Sequence, residues 1–288
     1  MGTVALATAA AALAGCTSGG GSDTAGGGPR ARQQAAAPGP LWNTRPRSIA
    51  SLGDSITRGF DACSLLSDCP GASWSTGTEV DSLVRRLLPA RTPSDGHSWN
   101  FAKTGAVMAD LPGQVKTAAA RRPELVTVLI GANDACADSV AQMTPAADYR
   151  RDFTAAMTAL RRTLPRTQVY VASVPDLTRL WSEGRKNPWG RAVWKLGICP
   201  SMLKDPDSMD AAAVRRRAEV ARRVDAYNTA LKDVCGRDAL CRYDGAVHAY
   251  RFTADDLSKW DWFHPGKEGQ KRLATLAYRE ITRKEPAR

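Results

Sequence analysis

From residue 48 onward the chain alternates between two patterns. Short apolar runs at 48–53, 98–102, 125–130, 168–174 and 241–246 read as strands, and stretches with helical spacing at 78–89, 110–121, 146–164, 210–234 and 267–283 separate them. Strand followed by helix, five times over, leaves a parallel sheet covered on both faces as the economical solution, because a parallel crossover needs a helix-sized connection. In the fourth helical stretch the predicted inward stripe is Val214, Ala218, Ala221, Val224 and Leu231. The longest irregular segment runs from Pro175 to about Asp210 and carries Trp181, Trp189 and Trp194. A stretch of that length inside one domain reads as a binding wall or as a satellite hydrophobic cluster pinned by Cys199.

The 288 residues and 43% hydrophobic content suffice for one sizeable core. The N-terminus has its own character. Residues 4–14 form a short apolar stretch of signal-peptide size, and Leu13-Ala14-Gly15-Cys16 is similar to a bacterial lipobox, in which the cysteine is lipidated. No Lys or Arg precedes the stretch, which places a start codon upstream as an alternative, and ordinary signal cleavage would give a freely secreted chain. The expected organisation is therefore residues 1–16 as signal peptide, 17–40 as a Gly/Ser/Ala/Pro-rich flexible linker, and 41–288 as the folded domain. Both routes predict an exported protein, anchored to a membrane by lipid or released.

A net charge of +11 raises nucleic acid as a partner. The Arg pairs at 85–86, 121–122, 150–151, 161–162 and 222–223 fall mostly in predicted helices, where they serve as solvated faces, and no nucleic-acid motif accompanies them. Setting Cys16 aside leaves Cys63, Cys69, Cys136, Cys199, Cys235 and Cys241, which allow 15 pairings. Close spacing suggests Cys63–Cys69 and Cys235–Cys241, leaving Cys136–Cys199. Metal is disfavoured, because no Cys-x-x-Cys occurs.

The chemistry begins at the end of the first strand. Gly53-Asp54-Ser55 can deliver a hydroxyl to the carboxyl edge of the sheet, beside backbone N–H groups that receive an anion, or can simply cap a helix. Serine needs a base. Of His97, His248 and His264, only His264 has a carboxylate at short fixed spacing, in Asp261-Trp262-Phe263-His264, although Asp261 could instead cap the turn. Gly105 after the second strand and Asn133 after the third can supply an N–H and an amide to an oxyanion.

Gly53-Asp54-Ser55-Ile56, Gly105, Gly131-x-Asn133-Asp134 and Asp261-x-x-His264 together resemble the four sequence blocks of the SGNH, or GDSL-type, hydrolase superfamily, over about residues 48–283. Ile56 stands where leucine is usual. The three-disulfide pattern and Ser173-Val174-Pro175-Asp176-Leu177 are similar to secreted actinobacterial esterases and lipases of that superfamily. The resemblance implies a three-layer α/β/α sandwich with five parallel strands in flavodoxin-like order. It implies Ser55 as nucleophile, His264 as base, Asp261 as its orienting carboxylate, and an oxyanion hole of Ser55 N–H, Gly105 N–H and Asn133. The function expected is an exported, monomeric serine esterase acting on carboxylic esters through an acyl-enzyme, without metal or organic cofactor. Its substrate is a lipid ester, with the tryptophans walling an acyl groove, or an acylated carbohydrate stacked on Trp181, Trp189 and Trp194. A non-catalytic binding module would keep the fold but lack a triad residue, and none is missing.

Overall fold

The computed structural model describes residues 42–88 and 96–285, which lie within one compact unit, Gly39–Arg288. The expected signal peptide, lipobox Cys16 and linker lie outside the described residues. Five strands form one all-parallel sheet: β1 (Ile49–Gly53), β2 (Ser98–Asn100), β3 (Leu125–Leu129), β4 (Gln168–Ala172) and β5 (Cys241–Asp244), in the order β2-β1-β3-β4-β5. This is the expected flavodoxin-like arrangement. β1, β3 and β4 are buried along their whole length, as strands covered on both faces must be. Polar side chains inside β1 and β3 are satisfied locally: Thr127 Oγ1 lies 3.2 Å from Ser51 Oγ and 2.9 Å from Ser75 Oγ.

Eleven helices are described in chain order: α1 (Ser55–Arg58), α2 (Leu83–Leu87), α3 (Leu111–Ala119), α4 (Ala132–Ala135), α5 (Ala146–Thr163), α6 (Leu177–Gly184), α7 (Pro188–Trp194), α8 (Pro200–Leu203), α9 (Ala211–Cys235), α10 (Ala246–Ala249) and α11 (Lys267–Thr282). α3, α5 and α9 pack together on one side, while α2 and α11 pack against each other on the other. α5 buries Tyr149, Phe153, Ala156, Met157 and Leu160, the spacing of a single helical stripe.

Two expectations need correction. Of the predicted stretch 78–89, the described residues 78–88 are helical only over Leu83–Leu87, because the Ser82 side chain accepts the Arg85 N–H and starts the helix there. In α9 the buried stripe is Ala213, Arg217, Val220, Val224, Tyr227 and Leu231, so Val214 is 42% exposed. The apolar count missed the phase because Arg217 and Tyr227 bury long stems that end in polar groups. The irregular segment after Pro175 is in fact three short helices, α6 to α8, each begun by a cap or a proline: Asp176 caps α6, Asn187 caps α7, and Pro200 opens α8.

The disulfides are Cys63–Cys69, Cys136–Cys199 and Cys235–Cys241. Such bonds persist in oxidising compartments. Among the described residues, no helix is long and apolar enough to cross a membrane.

Candidate active site

β1 ends at Gly53, whose φ of +150° and close packing admit no side chain: an added Cβ would lie 2.2 Å from the Leu129 carbonyl oxygen on β3. The Gln114 side-chain amide clamps this residue, accepting its N–H at 2.8 Å and donating to its carbonyl at 2.9 Å. Asp54 then accepts the Ile56 N–H and starts α1, with Ser55 as its first helical residue. Capping and display of the serine therefore coexist, one residue apart. Gln270 of α11 ties α1 in place by donating to the Ile56 carbonyl and accepting the Trp74 N–H.

His264 reaches Ser55 from the opposite end of the chain. Its Nε2 lies 2.9 Å from Ser55 Oγ, and its Nδ1 lies 2.5 Å from Asp261 Oδ2. Asp261 divides its oxygens between two tasks. Oδ1 accepts the Phe263 and His264 N–H groups and shapes the turn, while Oδ2 takes the imidazole N–H. The turn is closed by the Ser258 N–H bonding the His264 carbonyl at 2.8 Å and the Trp262 N–H bonding the Ser258 carbonyl at 2.9 Å. Phe60 packs its ring 5.1 Å from the His264 ring. With Nδ1–H committed to Asp261, Nε2 is the acceptor and Ser55 the donor, the arrangement of a nucleophile and its base.

Electrostatics favour a proton on the imidazole. Burial alone would depress His264, but the Asp261 charge and hydrogen bond, followed by Asp61 and Asp54, raise it above the ordinary histidine range. Asp261 is held below the usual carboxylate range by the His264 charge and by hydrogen bonds, against burial. Burial pushes Asp54 up to about 7.

The structure brings Gly105 and Asn133 to the same place. Ser55, Gly105, Asn133 and His264 line one cavity of about 240 Å³. Asn133 Nδ2 donates one N–H to the Ala106 carbonyl at 2.9 Å, which fixes the amide plane and leaves its second N–H for an oxyanion. Asp134 accepts the Met108 N–H at 2.9 Å, binding α4 to the loop after Gly105. Gly105 has φ +81°, and an added Cβ there would meet no atom within 4 Å, so its backbone faces open space. Among the described residues its N–H has no protein acceptor. Replacing Asn133 with alanine is expected to lower kcat by about 10²- to 10³-fold with little change in KM, as for loss of one oxyanion donor, read from steady-state ester hydrolysis.

Apart from Thr104, the remaining cavity wall is mainly apolar, with Ile56, Leu177, Leu180, Ile198 and Phe263 and the Cys136–Cys199 bridge. The three tryptophans do not line it. Trp181 is buried between the guanidinium groups of Arg185 and Arg217, at 4.6 and 4.2 Å from its ring centre, and donates to the Pro206 carbonyl. Trp194 is buried and donates its Nε1–H to the Asp261 carbonyl at 2.7 Å, bracing the triad turn. Trp189 is 60% exposed. The segment after Pro175 thus walls the cavity with aliphatic side chains. Those residues, and Asp61 behind the triad, carry no short motif that could have announced them. His97 Nδ1–H donates to the Arg47 carbonyl and His248 Nδ1–H to the Val174 carbonyl, both away from the serine.

Two groups of donor-type side chains come together among the described residues. Cys63, Cys69 and Glu79 form one, with both sulfurs bound in a disulfide; Asp61, Asp261 and His264 form the other, where Nδ1 is engaged by Asp261.

A hydroxyl, an imidazole, a buried carboxylate and N–H donors meet near the carboxyl ends of β1, β2 and β3, an arrangement chemically able to carry acyl transfer. The chain matches the GDSL-like lipase/acylhydrolase family over residues 51–272 and belongs to that family. It is an ester-hydrolysing enzyme. Among solved structures it is similar to an extracellular lipase from Streptomyces rimosus, at 16% identity over 80% of this chain and 99% of that one, with a TM-score of 0.49. It is also similar to a family 3 carbohydrate esterase from Clostridium thermocellum, at 15% identity over 81% and 94% of the two chains, with a TM-score of 0.47. A family 3 carbohydrate esterase from Talaromyces cellulolyticus is 17% identical over 80% and 93%, with a TM-score of 0.46. No significant match is found among curated proteins.

Proposed function

We propose that the protein is an exported serine esterase that cleaves esters of short-chain carboxylic acids through an acyl-enzyme. The observation that carries this reading is the continuous chain Ser55 Oγ–His264 Nε2, Nδ1–Asp261 Oδ2 opening onto a cavity that also holds Gly105 and Asn133. His264 takes the Ser55 proton as Oγ adds to the carbonyl carbon. The oxygen that becomes negative is received by the Ser55 and Gly105 N–H groups and the Asn133 amide. His264⁺ then returns the proton to the departing alcohol, leaving Ser55 acylated. Water, deprotonated by the same imidazole, releases the acid.

The cavity size supports a small acyl group. At about 240 Å³ it is below the ~300–1,000 Å³ of pockets that enclose drug-sized ligands. Leu177, Leu180 and Ile198 suit a few methylenes rather than a sugar ring. A rate series of p-nitrophenyl esters from acetate to palmitate is expected to peak at acetate to butyrate and to fall steeply beyond octanoate; a maximum at octanoate or longer would overturn the short-acyl reading in favour of a lipase. A fluorophosphonate probe should label the protein only when both Ser55 and His264 are present, which separates this reading from a non-catalytic binding module. The three disulfides support export, and the lipobox-like Leu13–Cys16 supports a lipid anchor.

A further inference from the structure

Behind the triad lies a second buried carboxyl, Asp61, which follows Phe60 in the loop bridged by Cys63–Cys69. It is fully buried, and among the described residues neither of its carboxyl oxygens has a hydrogen-bond partner. One oxygen of Asp61, one of Asp261 and one ring nitrogen of His264 lie within 4.8 Å of one another. The backbone holds it there at a cost: φ is +57°, a region that favours glycine. Its N–H bonds the Ser67 carbonyl at 2.9 Å, and its carbonyl accepts the Ser258 hydroxyl, at 2.6 Å, from the triad turn itself. A buried carboxylate without donors is costly, and its carboxylate neighbour Asp261 has no proton to offer. The pair is satisfied when one proton is retained between the two.

We propose that Asp61 is a positioning residue of the triad: it shares one proton with Asp261, and the charge of that pair sets how readily His264 accepts the proton of Ser55. The proposal rests on the Ser55–His264–Asp261 reading above. The two carboxyls depart from the ordinary range in opposite directions, as a coupled pair does. Burial, then the Asp261 charge, push Asp61 up to about 6, while Asp261 is held low. Asp261 and His264 are the titratable groups acting on Asp61. The Leu66 N–H favours its charged form from outside hydrogen-bond geometry, and Asp54 acts on His264 from another side. As pH rises through the ionisation of the pair, the added negative charge stabilises the imidazolium. His264 therefore stays protonated, and inactive as a base, to higher pH than Asp261 alone would impose.

Asp61→Asn tests this. Asparagine is the side chain that best tolerates a left-handed backbone after glycine, and its amide can donate to Asp261 without ever carrying charge. In kcat/KM for p-nitrophenyl acetate, measured from about pH 4.5 to 9, the acid limb should move to lower pH by roughly half a unit to one unit. At the foot of the limb the variant then keeps about three- to tenfold more of its own plateau rate than the parent enzyme does. A limb that stays in place or moves to higher pH, with activity reduced by one factor throughout, overturns the proposal and makes Asp61 structural. Should the variant not fold, the ring protons of His264 can be titrated by NMR in the parent protein. Two coupled steps are expected, and a single step at the ordinary histidine value overturns it. Ser55→Ala separates the two readings: activity within tenfold of the parent sinks the triad itself, whereas a Ser55→Ala enzyme reduced by about 10⁴-fold or more beside an unmoved Asp61→Asn limb sinks only the role of Asp61.

Discussion

Ser55→Ala is expected to lower kcat/KM for p-nitrophenyl acetate by at least about 10⁴-fold, while the melting temperature changes by no more than a few degrees. The two halves of that expectation come from different atoms. Everything that builds α1 is backbone or belongs to a neighbour: the Asp54 cap, the Gln270 bond to the Ile56 carbonyl and the Gln114 clamp on Gly53. None of these is touched by removing Oγ. The hydroxyl itself is hydrogen-bonded to His264 Nε2, and truncating it removes the group that the proposed mechanism acylates. Whatever turnover survives must come from the oxyanion donors acting on water, a residual effect of roughly 10³- to 10⁴-fold over the uncatalysed reaction. Activity within tenfold of the parent would remove Ser55 from the mechanism.

The second large effect concerns stability. Replacing Cys136 and Cys199 together with alanine is expected to cost about 4 kcal/mol, because the bridge closes a loop of 63 residues in the unfolded chain. For a domain of this size that corresponds to a fall of about 10 °C in melting temperature, measured by calorimetry. The position of the bridge adds a functional consequence. Cys136 caps α4, which carries Asn133, and Cys199 precedes α8 beside Ile198 in the cavity wall. Losing it should loosen the acyl wall against the oxyanion donor, so KM for butyrate esters should rise more than KM for acetate. A melting temperature within about 2 °C of the parent would show that packing of α6 to α8 suffices without the bond.

The sheet was legible because β1, β3 and β4 are buried on both faces and so read as mostly apolar runs, Ile49-Ala-Ser-Leu and Leu125-Val-Thr-Val-Leu among them. The putting-together of Ser55, Gly105, Asn133, Asp261 and His264 was legible because each sits in a turn or just after a strand, where glycine, asparagine and aspartate report the backbone they make. The cavity wall was not. Leu177, Leu180 and Ile198 are ordinary core-type residues whose exposure to a ligand depends on how α6 and α8 fold back, and tryptophans in the same segment were the more conspicuous and less relevant feature. Asp61 was hidden for a related reason: its partner is Asp261, 200 residues away, and no local spacing connects them.

The hydrogen bond between Ser55 and His264 joins residues separated by 209 positions. Ser55, Gly105 and Asn133 all lie before residue 135, whereas His264 stands just ahead of α11. Made from its N-terminus, the chain therefore carries a cradle without a base through most of its synthesis. On the mechanism proposed above, turnover waits for His264 and for α11, whose Gln270 holds the Ile56 carbonyl of α1, so hydrolysis would report a finished fold.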